Sequence, residues 1–228
     1  MAQNEPQMEA AGRVASAEFM NHEDNPLWFR RSAELSTLVV FDLETTGLSA
    51  ARNEIIQIAA VRVSDGEIRS RDTFASYVKP KSPISSFITH YTGITNADVK
   101  TAPPAKDALT AFSEFCGPDT LVAHNGHTFD MQFLRATCHR ERCPTRTVHY
   151  FDAMHASWQL WGRQRGVSHS LDHVKDRLRI STRGLRRHDA RGDVEILARC
   201  LLALMQRLDH ERNNYAIKLY EGVLPSLT

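Results

Sequence analysis

Val39-Val40-Phe41-Asp42-Leu43-Glu44-Thr45-Thr46-Gly47-Leu48 is the stretch from which the arrangement of the chain can be read. The apolar, β-branched run from Leu38 to Phe41 predicts a central strand, and that strand ends in two acids. Alternation along a strand puts Asp42 and Glu44 on one face and Phe41 and Leu43 on the other. Two carboxylates side by side at the end of a buried strand repel each other and lose solvation. A bound divalent cation relieves both costs, because Mg²⁺ and Mn²⁺ take hard oxygen ligands. Two solvated acids at a strand exit are the plain alternative, and this stretch alone leaves both readings open.

Working outward, Glu54 to Val63 reads as a long strand, and Asp65-Gly66 marks a tight hairpin turn into a returning strand over about Ile68–Val78. Those three strands form an antiparallel meander. Pro83 to Val99 predicts short helical turns, in which Ile84, Phe87, Ile88 and Tyr91 recur at helical spacing, with Thr95 or Asn96 as the next cap. A helix follows from Pro103-Pro104 to Cys116 and ends at Gly117-Pro118. Leu121–His124 is a short buried strand. Asn125-Gly126-His127 is a turn, with Thr128 the expected cap of the next helix, so that Asp130 falls in its first turn. Thr147–Phe151 is a fifth strand, and Asp152 starts a helix carrying Trp158 and Leu160. Ser170 caps another, presenting Leu171, Val174 and Leu178. The last long helix shows the stripe Val194, Leu197, Leu201, Leu202 and Met205. The tail from Asn213 is expected to be helical. This order predicts an α/β fold: a five-stranded mixed sheet, an antiparallel meander plus two parallel strands, with helices on both faces.

The 228 residues suit one such domain, expected over 37–228, behind a flexible lead-in over 1–36. Pro26-Leu27-Trp28-Phe29 is the one stretch of that lead-in suited to docking. The formal net charge of +1 excludes a strongly basic molecule, so any nucleic-acid contact must come from local patches. No run reaches the length of a membrane span, and Met1–Asn25 lacks the apolar region of a secretory signal, so a cytoplasmic location is expected. Cys138, His139, Cys143 and His149 match no closed zinc spacing.

Three further polar positions complete a set with Asp42 and Glu44: Asp130, and then His188 and Asp193, which flank the start of the last long helix. Four carboxylates can hold two cations that stabilise the attacking and leaving oxygens of an in-line phosphoryl displacement, and a histidine can take the proton of the attacking water.

Phe41-Asp42-Leu43-Glu44-Thr45-Thr46-Gly47, His124-Asn125-Gly126-His127-Thr128-Phe129-Asp130 and His188-Asp189-Ala190-Arg191-Gly192-Asp193 resemble, in the right order, the three motifs of DnaQ-like DEDDh exonucleases. The resemblance covers roughly Thr37 to Arg207. The longer second motif and the Ala-x-Gly-Asp form of the third lean toward the animal three-prime repair exonuclease branch, although its proline-rich insertion is not visible. The resemblance implies a ribonuclease H-like fold and a 3′→5′ exonuclease acting on single-stranded ends, with DNA favoured over RNA. It implies two Mg²⁺ or Mn²⁺ ions on Asp42, Glu44, Asp130 and Asp193, with His188 activating water. Leu43, Thr45 and Leu48 match positions that contact or wedge the terminal nucleotide. His124 and Asn125 either touch substrate or hold the turn that places Asp130.

From Arg163 to Arg191 there are nine Lys or Arg against three Asp or Glu, a stretch suited to tracking a phosphate backbone toward His188. Trp158 and Trp161 fit a core-facing helix better than a stacking surface. Two other readings stand beside a free enzyme: a non-catalytic nucleic-acid-binding module, and a trimming or proofreading subunit tethered to a protein partner by residues 1–36.

Overall fold

Trp28–Phe29 (β1) is a two-residue strand, and Thr37–Thr45 (β2) is the strand that the acidic stretch closes. The computed structural model describes residues 28–29, 37–185, 189–212 and 215–227. Ile55–Ser64 (β3) and Glu67–Tyr77 (β4) complete the meander. Asp65 and Gly66 both take positive φ, 54° and 75°, as the two-residue turn between them requires. Then come Ser86–Thr92 (α1), Ala105–Cys116 (α2), Thr120–Ala123 (β5), Asp130–Arg140 (α3), Thr145–Asp152 (β6), Ala153–Trp161 (α4), Leu171–Arg177 (α5) and Ala190–Glu211 (α6). Ile217–Lys218 (β7) and Tyr220–Pro225 (β8) end the order.

The main sheet has the order β4-β3-β2-β5-β6-β8. β2 pairs antiparallel with β3 and parallel with β5, and β6 runs parallel to β5. The mixed α/β architecture is therefore as the sequence predicts, with one addition. The tail that reads as helical instead forms a sixth strand, β8, antiparallel to β6. The edge of β6 would otherwise leave its backbone groups unpaired, and Leu224 is buried there while Glu221 faces solvent. Gly222 lets β8 approach closely here: a Cβ would lie 2.3 Å from the Met131 terminal methyl, so that side chain would have to move aside.

The period of two along β2 divides the core. Leu38 and Val40 pack with Val194, Leu197 and Leu201 of α6, whereas Val39, Phe41 and Leu43 pack with Leu109 and Phe112 of α2 and Phe133 of α3. Phe41 and Phe112 meet with ring centroids 5.5 Å apart. Truncating a wholly buried ring of this kind costs about 3–5 kcal/mol, so Phe41→Ala should destabilise the centre of the sheet by about that much.

Two caps fall where the sequence places them: the Ser170 side chain accepts from the His173 N–H and that of Asp152 from the Met154 N–H. The Asp189 side chain caps α6, accepting from the Arg191 N–H. Thr128 does not cap α3. Its hydroxyl is engaged by Asn125, and the helix starts at Asp130 without a side-chain cap. Of the lead-in, Trp28–Phe29 pairs antiparallel with Ile217–Lys218, and the rest lies outside the described residues. Among the described residues no helix is long and apolar enough to cross a membrane.

Candidate active site

The acids of β2 meet the first turn of α6. Asp42 and Glu44 lie on the same face as Leu38 and Val40, the face that α6 covers, and Asp193 enters from that helix. One carboxylate oxygen from each of Asp42, Glu44 and Asp193 lies within 4.8 Å of the others. Among the described residues this is the one set of three or more His, Cys, Asp and Glu side chains close enough to share a metal ion. Glu44 and Asp193 are buried and Asp42 is half-buried.

Asp130 stands apart from this set because it arrives from the opposite face. The parallel ladder between β2 and β5 stops at Val40 and Val122, leaving an open edge toward the end of β2. Asp130, at the start of α3, approaches the backbone N–H of Leu43 between the two acids. It is buried, and its Oδ1 has no hydrogen-bond partner. Burial, with the Asp152 charge adding to it, pushes the Asp130 carboxyl up to about 7, against the opposing pull of the Asp130 and Leu43 N–H groups. The three crowded carboxylates form an all-oxygen donor set, which fits a hard divalent cation, and Asp130 brings a fourth carboxylate with an unpartnered oxygen to the same strand.

The turn before Asp130 is fixed by Asp152. Its carboxylate accepts from the N–H groups of Asn125 at 2.8 Å and His127 at 3.1 Å as well as capping α4. Asn125 takes φ of 63°, and its side-chain oxygen accepts from the Thr128 hydroxyl, so it builds the turn. Gly126 passes so close to β5 that a Cβ would sit 2.5 Å from that of Ala123. His124 lines the cleft, and its Nε2–H donates to the His169 carbonyl at 2.7 Å. On the other side, Gln57 of β3 accepts from the Ala190 N–H at 2.9 Å and donates to Asp189, tying the start of α6 to the sheet opposite Glu44. Burial would raise the Asp189 carboxyl, yet the bonds from Arg191 and Gln57 hold it below the usual carboxylate range. His188 lies outside the described residues, as do Arg186 and Arg187.

Asp42, Glu44 and Asp193 floor an open cleft of about 480 Å³ that also includes Leu43, Thr45, Leu48, His124 and Phe129. The Thr45 hydroxyl donates to the Gly47 carbonyl at 2.6 Å. The loop beyond is clasped by Thr46, whose N–H donates to the Glu54 carbonyl and whose hydroxyl accepts from the Glu54 N–H. Leu48 projects from that loop, 88% exposed. Across the cleft stand Phe87 and Tyr91, 74% and 54% exposed. Both share the helical spacing of Ile84 and Ile88, yet they face solvent. Only the Ile88 side of the apolar arc is covered, by Ile56, Ile84, Ile94 and Val99. The sequence signal for the rim is an arc wider than one small core can cover. Trp158 and Trp161 are likewise half-buried, carrying the guanidinium groups of Arg163 and Arg177.

Residues 39–201 match the family described as Exonuclease. The chain is 37% identical over 171 residues to the PolC-type DNA polymerase III of Streptococcus mutans, an alignment covering 75% of this chain but 11% of that protein. The chain thus spans about a tenth of such relatives. Among solved structures, exonuclease X in complex with 5′ overhanging duplex DNA is 28% identical with a TM-score of 0.60, covering 74% of this chain and 91% of that one. The nuclease domain of 3′hExo, a DEDDh family member bound to rAMP, shares the fold at 19% identity and a TM-score of 0.65, covering 80% and 96%. The chain belongs to the Exonuclease family, as a hydrolase domain.

Proposed function

We propose that this domain is a two-metal-dependent 3′→5′ exonuclease that removes nucleoside 5′-monophosphates from single-stranded nucleic acid, DNA above all. The observation that carries the reading is the convergence of Asp42, Glu44 and Asp193 within 4.8 Å on the floor of a cleft with an apolar rim. Asp42, Glu44, Asp193 and Asp130 would hold two Mg²⁺ or Mn²⁺ ions, which when bound supply a polarised water and charge stabilisation at the scissile phosphate. His188 takes a proton from the attacking water as its oxygen bonds to phosphorus. The bond from phosphorus to the penultimate 3′-oxygen breaks, and that oxygen is protonated to leave a shortened strand with a free 3′-hydroxyl. Leu43, the Thr45 backbone amide and Leu48 receive the terminal nucleotide, and Phe87 and Tyr91 face its base. The rim offers flat apolar side chains and few base-edge donors, which supports unstacked ends of any sequence.

The test uses matched 5′-labelled single-stranded DNA and RNA with Mg²⁺, and Asp193→Ala as the control. A ladder shortening from the 3′ end on DNA supports the reading, and faster shortening of RNA moves it to RNA trimming. No cleavage of either strand leaves a binding module. His188→Ala is expected to lower kcat by about 10²–10⁴-fold while sparing Mn²⁺ binding. The likeness to part of a PolC-type polymerase favours a second setting, a proofreading or trimming domain within a larger assembly through a protein partner. Capture of a polymerase by the full chain and not by one lacking residues 1–36 would establish it.

A further inference from the structure

We propose that Arg163 and Lys218, each carried on the face of an aromatic ring beside the cleft, grip the phosphate backbone of single-stranded nucleic acid upstream of its terminal nucleotide. This rests on the reading of the cleft as a 3′-end site and adds to it a second, separate contact surface. The Arg163 guanidinium lies 4.1 Å from the Trp158 ring centre, and the Lys218 ammonium 4.8 Å from that of Tyr220. Both cations are exposed, and neither has a carboxylate partner among the described residues. His155 sits between the two rings, 4.3 Å from Trp158 and 5.8 Å from Tyr220 between centroids, with its Nδ1 3.4 Å from the Tyr220 hydroxyl. Both cations reach it: burial first, then His127, Arg163 and Lys218 together, hold its imidazole below the ordinary range against the pull of Asp152.

His169 links the patch to the cleft. His169 accepts from cleft-lining His124 through its carbonyl, and its ring meets Trp158 edge-on at 6.4 Å. A guanidinium held over an indole face is steadied by the ring while its N–H groups stay available to a phosphate. Cations interleaved with aromatic surface are the recognition chemistry of single strands, where backbone charge and base faces are met together. The run Arg163 to Arg191, with its surplus of cations, enters this patch at Arg163.

The experiment measures binding of a labelled thymidine dinucleotide and a dodecamer, with uridine counterparts, to the full chain carrying Asp193→Ala, with and without Arg163→Ala and Lys218→Ala. Both positions are exposed, so the substitutions spare the fold. The expected result is dodecamer affinity lowered about tenfold, dinucleotide affinity within about twofold, and a salt slope for the dodecamer reduced by about 1.4 for two lost phosphate contacts. In the active background the dodecamer KM should rise and dinucleotide turnover stay unchanged. Unchanged dodecamer affinity and slope, or equal weakening on both lengths, would overturn the patch while leaving 3′-end cleavage intact. Competition by a poly-glutamate peptide as effective as the dodecamer would assign the patch to an acidic protein instead. If the wild-type chain cleaves neither length and the Asp193→Ala chain binds neither, the cleft reading falls, and the patch with it.

Discussion

The floor and the rim line one cleft, yet they are built by opposite means. The floor acids sit on the central strand and on a 22-residue helix whose apolar stripe is locked into the core. Leu48, Phe87 and Tyr91 sit on a clasped loop and a seven-residue helix, with most of their surface in water. Rigid elements hold groups that must keep their geometry against mutual repulsion, whereas the rim only has to offer flat apolar surface. The floor should therefore govern turnover and the rim affinity. The largest effect belongs to the floor. Asp193→Ala should lower kcat by several orders of magnitude and weaken Mn²⁺ binding by calorimetry, with the strand's affinity changed little. Equal loss in kcat and strand affinity would erase the distinction.

A smaller loss is expected where the fourth acid is positioned rather than replaced. Gly126→Ala forces a methyl against Ala123, displacing the turn that carries Asp130, and should lower kcat about tenfold or more. Adding Ala123→Gly opens the space again, and recovery of kcat in the double variant is the outcome that supports a positional cause. Failure to recover would place the fault in folding.

The floor was legible in the sequence for a physical reason. Two acids closing a buried strand and Asp193 after a cap are residues whose types are restricted by their chemistry, so spacing and type together point to them. The alternation that joined Asp42 to Glu44, and the Asp65-Gly66 turn, follow from backbone geometry alone. The rim was not legible, because whether Phe87 and Tyr91 face core or solvent depends on how much of α1 the rest of the fold covers. The same holds for β8: Tyr220–Pro225 becomes a strand only because β6 offers it an unpaired edge. Asp130 approaching β2 from the opposite face also depends on where the β5 ladder stops.

That opposite approach has a measurable consequence for stability. The Asp130 carboxyl rises from 3.8 to about 7 on burial, so between those values the folded chain binds a proton that the unfolded chain has released. Stability of the metal-free protein should therefore fall as pH rises through about 4 to 7, and Asp130→Asn should remove that part of the fall. In thermal melts with EDTA, the variant is expected to gain several degrees over the wild type at pH 7.5 and little at pH 5. Added Mg²⁺ should stabilise the wild type and narrow the difference, since the cation relieves the same buried charge. Equal melting of both proteins at pH 7.5 would show that Asp130 carries no such cost.

The smallest effect is expected at the rim, and it sharpens the contrast most directly. Phe87 contributes nothing to the small core of Ile56, Ile84, Ile88, Ile94 and Val99, so Phe87→Ala should leave the melting temperature unchanged within a degree or so. A base stacked on such a ring gains about 1 kcal/mol or somewhat more, which corresponds to a rise in KM of roughly five- to tenfold. Because the ring faces the base and not the reacting phosphate, it binds ground state and transition state alike, and kcat should hold. Phe87→Trp should keep or lower KM, as a larger flat surface would. If kcat falls in step with kcat/KM in Phe87→Ala, the rim positions the scissile bond and shares the work of the floor.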